Sequence, residues 1–175
     1  MMTRTNAFRP YLLFWVVAGV AYISDQATKH WIHTSLELHS RIPVVDGFFW
    51  IVHVHNYGAA WGILSGHGWF LSALAVVALV AIFVYRDALE LKTTYMQWVF
   101  ALIVSGILGN LTDRIRFGYV VDFLDFLLGS YHWPAFNIAD SCIFSGVILH
   151  LWHTWRHPAG KPKAVPTQKD KSGEG

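Results

Sequence analysis

The sequence predicts a mainly α membrane protein, with four helices crossing a bilayer and a smaller β-containing part outside it. Three observations predict this. Hydrophobic residues make up 54% of the chain and charged residues 14%, against roughly 25% charged in a soluble domain. Four apolar segments of spanning length recur along the chain. Lys and Arg are shared unequally between the stretches that join them.

The first segment is 11–32, YLLFWVVAGVAYISDQATKHWI. It follows Arg4 and Arg9 and has no small-x-small cleavage site before a polar region, so it reads as a retained helix rather than a removed signal. The second is 69–85, WFLSALAVVALVAIFVY, without a charge. The third is 95–112 and the fourth 136–155. At about 1.5 Å per residue each fits a hydrocarbon core of roughly 30 Å. Trp15, Trp31, Trp69, Trp98, Trp133 and Trp152 stand mostly towards segment ends, as interfacial aromatics do.

With the N-terminus inside, nine Lys and Arg fall on the inner side. Only Lys29, Arg41, Arg114 and Arg116 fall outside, so both termini are expected in the cytoplasm. Residues 33–68 are not helix-like. Their β-branched and aromatic residues around Gly and Asn, with His53 and His55 alternating, predict short strands. Residues 113–135 link helices three and four. The Pro-, Lys- and Gly-rich tail 158–175 is expected to be disordered.

A net charge of +2, with no basic stripe interleaved with aromatics, speaks against nucleic-acid binding. The single cysteine, Cys142, excludes an internal disulfide and a Cys-rich zinc site.

Polar residues gather at one membrane depth. Asp25 and Lys29 lie on helix one. Asn110, Asp113 and Arg114 end helix three, Asp122 and Asp125 follow it, and Asn137 and Asp140 begin helix four. In the predicted topology all occupy the outer ends of their segments. An ionisable residue at the bilayer centre costs about 2.5–3.5 kcal/mol on insertion scales, so a layer of them argues for a site. Asp25 and Lys29 are spaced i,i+4 with the acid first, which equally suits a structural ion pair. Asp113 and Arg114 read as a surface charge pair, and Asp125 as a solvated interfacial acid. Asp140 is harder to read as merely solvated: it enters an apolar helix with Asn137 one turn before it.

If Asp122 and Asp140 converge in a partly dry site, they cannot both ionise easily and share one proton. The ionised member then takes a proton from attacking water, and the protonated member donates to the carbonyl oxygen. No metal is needed. A zinc peptidase would require H-E-x-x-H, which is absent, and His53/His55 and His150/His153/His157 fall near opposite membrane faces without an acidic third ligand. Serine chemistry would need a base beside Ser65, Ser105 or Ser145. Each precedes Gly, and Ser105–Gly109 is a small-x-x-x-small pair suited to helix packing. A transporter would favour midplane charges and repeats, and neither is seen.

Five ordered blocks now carry a resemblance: DQATK at 25–29, HNYGAAWG at 55–62, SGILGNLTDR at 105–114, GYVVDFLDF at 118–126 and WPAFNIADS at 133–141. On a four-helix hydropathy profile they resemble the bacterial lipoprotein signal peptidases (signal peptidase II), which are membrane aspartic endopeptidases. The likeness covers about residues 11–155.

The resemblance implies cleavage of diacylglyceryl-modified prolipoproteins just before the lipidated cysteine. It implies Asp122 and Asp140 as the catalytic pair, and Asp25, Lys29, Asn56, Gly58, Asn110, Arg114 and Asn137 as residues lining the site, with no cofactor. It also implies a single peptidase domain over 1–157, with an extracytoplasmic β-cradle at about 36–66 and a short periplasmic helix. The expected location is the bacterial inner membrane with the site near the outer leaflet. The expected partners are lipidated prolipoproteins, membrane lipids and cyclic peptide inhibitors such as globomycin. Two positions depart from the usual pattern. Trp61 stands where the family usually has Phe, and Ser105-Gly106 where it often has Gly-Gly. Asn56 and Arg114 are expected, from their chemistry, to hydrogen-bond the substrate backbone.

Overall fold

The computed structural model describes residues 11–157; the expected disordered tail, 158–175, lies outside the described residues. The elements in order are α1 (Leu12–Ser35), β1 (Arg41–Val45), β2 (Phe49–Asn56), α2 (Gly68–Val84), α3 (Thr94–Phe117), β3 (Val120–Leu128), β4 (Tyr131–Phe136) and α4 (Ile138–Arg156). The four apolar segments are thus the four helices, each displaced from its expected ends by only a few residues.

The strands form one antiparallel sheet in the order β1-β2-β3-β4. Two of its strands were not foreseen. Residues 120–136, which take up most of the expected linker and the first residue of the expected fourth segment, form a hairpin turned at Gly129 with φ 65°, and its first strand pairs with β2. The short helix expected from the family does not occur in 113–135, where α3 runs on to Phe117 and the strands follow. Its closest counterpart among the described residues is one 3-10 turn at Ala60–Gly62. The physical reason is the pattern YVVDFLDFLL, a largely apolar run rich in Val and Phe, which suits a strand buried on both faces. Val120, Val121, Asp122 and Phe123 are all buried.

α3 is the central helix. Thr93 caps its start by accepting from Met96 N, and Gly118, at φ 79°, ends it in the left-handed conformation that glycine adopts freely. It is long and apolar enough to cross a membrane, and α2 is a shorter apolar helix of 17 residues. At one end, Phe14, Val17 and Ala18 of α1 pack with Val99, Phe100 and Ile103 of α3. At the other, Ile32 of α1 meets Val121 and Phe123 of β3. α2 has no buried residue, and Val77, Val80 and Phe83 are well exposed. An all-round apolar helix with that exposure suits an apolar surrounding rather than water.

Helix approach is set by small residues. A Cβ on Gly109 would stand 2.5 Å from Asp25 Oδ2 and 3.0 Å from Ala139 Cβ. That position on α3 therefore admits α1 and α4 together only as glycine. This approach brings the polar ends of three helices to the edge of the sheet.

Candidate active site

Asp140 is the third residue of α4, and its position follows from a capping box. Asn137 caps the helix: its Oδ1 accepts from Asp140 N at 2.9 Å, while Asp140 Oδ2 accepts from Asn137 N at 3.3 Å. Asp122 lies on β3 opposite Val54 of β2. Asn56, two residues beyond Val54, is its diagonal neighbour on the same face. Asn56 Nδ2 donates to Asp122 Oδ2 at 2.9 Å.

Asn137 also joins the two acids. Its Nδ2 is 2.7 Å from Asp122 Oδ1, and within reach of Asn110 Oδ1 at 3.2 Å and Val121 O at 3.3 Å. Asn110 Nδ2 in turn donates to Asp140 Oδ1 at 2.7 Å. Each carboxyl is therefore held by amide donors from two residues, and Asn137 serves both. Burial first, and then the Asp140 charge, pushes the Asp122 carboxyl up to about 7, against the pull of the Asn56 and Asn137 hydrogen bonds. Such a shift is what a poorly solvated site with a second carboxyl nearby produces.

Behind the acids lies a buried charged layer. Lys29 Nζ is 3.0 Å from Asp25 Oδ2, 3.1 Å from Asp113 Oδ2 and 3.0 Å from Asn110 Oδ1. Asp25 Oδ1 accepts from Ala139 N at 2.8 Å, satisfying one of the amides that the start of α4 leaves open. Asp113 Oδ2 accepts from Val121 N at 3.1 Å, pinning β3 beside Asp122. The sequence reading missed Gln26, whose Nε2 lies 3.2 Å from Asp25 Oδ2, Gly109 O and Asp113 Oδ1. Its place beside Asp25 in DQATK was the available signal.

A cleft of about 950 Å³ opens over the two acids. Asp122, Asp140, Asn56, Gly58, Asn110 and Arg114 line it, with Trp61 and Trp133. Asp25, Lys29 and Asn137 do not: they are buried behind it, so they bear on the acids rather than on whatever enters the cleft. Gly58 sits where the loop after β2 folds back, and a Cβ there would be 2.7 Å from Ile63 O. Arg114 Nη2 donates to Gly58 O at 3.1 Å, and Asn56 Oδ1 accepts from Gly58 N at 2.9 Å. Both residues thus hold this loop, and Asn56 holds Asp122 as well. Trp61, at φ 56°, donates from Nε1 to Tyr131 Oη at 3.0 Å and stacks edge-on with Trp133, so the loop reaches β4 across the cleft.

Two expectations need correction. Asp125 is not solvated. It is buried, with Arg41 Nη2 at 3.1 Å and His132 Nε2 at 3.2 Å, because β4 lies beside β3 and Arg41 reaches from β1 over Trp50 of the intervening β2. Asp113 and Arg114 are not a surface pair: Asp113 turns inward to Lys29, and Arg114 turns to the loop. The expected packing of Ser105 fits its burial and its bond to Leu102 O at 2.9 Å.

Comparison with known proteins agrees over most of the chain. The family model described as Signal peptidase (SPase) II matches residues 17–156. The lipoprotein signal peptidase of Syntrophus aciditrophicus (strain SB) is 43% identical over 146 residues, spanning 81% of this chain and 91% of that one. That of Desulforapulum autotrophicum is 43% identical over 144 residues, spanning 79% and 88%. A bacterial membrane enzyme solved by the in meso method at 2.3 Å superposes with a TM-score of 0.78 at 35% identity, covering 87% of this chain and 93% of that one. A second such membrane enzyme, at 1.9 Å, gives 0.72 at 37% identity, covering 80% and 90%. With a buried and a half-buried aspartate, both held by amides, in one cleft and this likeness along nearly its whole length, the chain belongs to the signal peptidase II family of aspartic peptidases.

Proposed function

We propose that Asp122 and Asp140 are the catalytic pair with which this enzyme removes the signal peptide of prolipoproteins. The observation that carries the assignment is the shared amide of Asn137, which serves both acids at the head of one cleft. The pair carries one proton between its two carboxyls, of which Asp122's is pushed up to about 7, and in this reading Asp122 starts as the acid. Asp140 is the base. Water attacks the scissile carbonyl carbon and gives one proton to Asp140, while Asp122 gives its proton to the carbonyl oxygen. The C–N bond of the resulting gem-diol then breaks. The proton on Asp140 goes to the leaving nitrogen, and one diol hydroxyl returns a proton to Asp122, leaving a carboxylic acid and restoring both side chains.

Asn56 and Asn110 position the acids. Arg114, which uses one of its five donors on Gly58 O, keeps others for a peptide backbone in the cleft. Asp25 and Lys29 act from behind, through Ala139 N and Asn110. The substrate class is a prolipoprotein already carrying diacylglyceryl, cut before the lipidated cysteine. Supporting this is the cleft's content: beside the two acids and their polar neighbours, its walls carry Trp61, Trp133, Phe136, Phe144 and Val147. A cyclic peptide such as globomycin would occupy the same space.

We further infer that all four helices span the inner membrane as one domain over 1–157, with both termini cytoplasmic and the sheet outside. The exposed apolar flank of α2, the exposed Leu12, Val16, Val20 and Ile23 of α1, and the distribution of Lys and Arg support this. The substrate then enters laterally, its acyl chains never leaving lipid.

The deciding experiment is incubation of the purified enzyme with a lipidated prolipoprotein, with and without globomycin. Asp122→Asn and Asp140→Asn are expected to insert, to fold, and to lose more than about a thousandfold in turnover. Turnover near wild type in either would refute the pair.

A further inference from the structure

Beside the cleft, whose lining includes His55, three histidines from two elements meet at one point. His33 lies in the last turn of α1. His53 and His55 are two residues apart on β2 and so share a face of the strand. One ring nitrogen of each lies within 4.8 Å of those of the other two. We propose that His33, His53 and His55 bind one divalent transition-metal ion of the zinc class, tying the end of α1 to β2.

Three features carry this beyond a coincidence of rings. His33 Nδ1, His53 Nε2 and His55 Nε2 are buried and without a hydrogen-bond partner. Buried polar atoms are seldom left so, and three at one place ask for a common partner. A metal ion satisfies all three at once. Second, His53 Nδ1 lies 2.9 Å from Leu36 O. A proton there fixes the tautomer and leaves the Nε2 lone pair free, the carbonyl-backed arrangement typical of ligating histidine. Third, the rings are braced. His55 stacks on Tyr119 with centroids 3.7 Å apart, and His33 on Phe117 at 5.2 Å.

Imidazole donors without carboxylates suit Zn²⁺, Cu²⁺ or Ni²⁺, not Ca²⁺ or Mg²⁺. Ring nitrogens about 2.0–2.1 Å from a tetrahedral ion stand about 3.3 Å apart, so small side-chain rotations close the triad. The fourth position is left to water. The ion takes no part in peptide hydrolysis. Its place is mechanical: His55 directly precedes Asn56, which holds Asp122, so occupancy stiffens the strand that carries that contact. The competing account is a purely aromatic cluster, and it predicts no binding.

The test uses the full chain, tag-free, stripped of metal and held in detergent. Co²⁺ titration is expected to give the visible bands of a four-coordinate site of three nitrogens and one water at one equivalent, discharged by Zn²⁺. Zn²⁺ is expected to raise Tm by several degrees. His33→Phe and His55→Phe keep the ring packing and should abolish both effects. His153→Phe/His157→Phe, which removes an i,i+4 pair able to chelate alone, should keep both. Absence of the bands in wild type, or their survival in His33→Phe, overturns the proposal. Should the ring variants fail to fold, anomalous scattering at the zinc edge from wild-type crystals decides. A peak among the three rings supports the site, and its absence there refutes it. Asp140→Asn, inactive under the peptidase assignment, should bind the ion as wild type does, so the two readings fail separately.

Discussion

Asn137 donates from Nδ2 to Asp122 Oδ1 at 2.7 Å, and its own Oδ1 caps the amide of Asp140 at 2.9 Å. A single side chain thus fixes the relation between a strand and a helix that each carry one acid. Asn137→Ala removes the cap and leaves Asp122 one donor short. A lost cap costs about 1 kcal/mol and a buried unmet partner about 1–3 kcal/mol. The expected result is a folded, less stable protein with kcat down by at least about a hundredfold, read by prolipoprotein cleavage and thermal unfolding.

The pH dependence of stability follows from Asp122. Its carboxyl is raised from 3.8 to about 7, so the folded chain holds this proton more tightly than the unfolded one. The contribution is fully present below pH about 4, declines as pH rises through 7, and is flat above. Asp122→Asn removes the penalty of a buried charge. It is expected to unfold at higher temperature than wild type at pH 8, with the difference shrinking towards pH 4. A constant difference across that range would show that Asp122 is not so perturbed.

Activity should report the same proton. With Asp122 as acid, kcat/KM is expected to fall on the alkaline side of about pH 7. Asn56→Ala deletes a hydrogen bond that favours the ionised carboxyl, so the descending limb should move to higher pH while the maximum drops by roughly tenfold or more. A limb that stayed in place would mean that Asn56 acts on substrate alone.

Lys29→Met tests the layer behind the acids. It leaves Asp25 and Asp113 buried without their cation, and breaking a buried pair costs about 3–5 kcal/mol. Marked loss of thermal stability is expected, together with loss of kcat in whatever fraction folds. Gly109→Ala should act alike, since its Cβ would meet Asp25 Oδ2 at 2.5 Å.

Asp125→Asn is the contrast. Asp125 stands three residues from Asp122 along the strand and pairs with the half-exposed Arg41, away from Asn137. Turnover within about threefold of wild type is expected. A loss comparable to Asp140→Asn would reassign the catalytic acid.

Sequence by itself determined the four helices, because apolar runs of that length have one good solution and their flanking residues mark the ends. It determined the polar layer too, since an acid such as Asp140 in an apolar helix needs a reason to be there. Tertiary structure alone decided the partners. That β3 and β4 continue the sheet of β2 depended on non-local pairing, which a local pattern in 120–136 does not specify. That Asp113 turns to Lys29 and that Gln26 joins the layer depended on where helices α1 and α3 meet, and that Asp125 is covered by Arg41 depended on the order of the strands. The meeting of His33 with His53 and His55 was likewise invisible, because it needs the end of α1 laid against β2. Sequence spacing fixes which side of its own element a residue faces; packing between elements fixes what stands opposite.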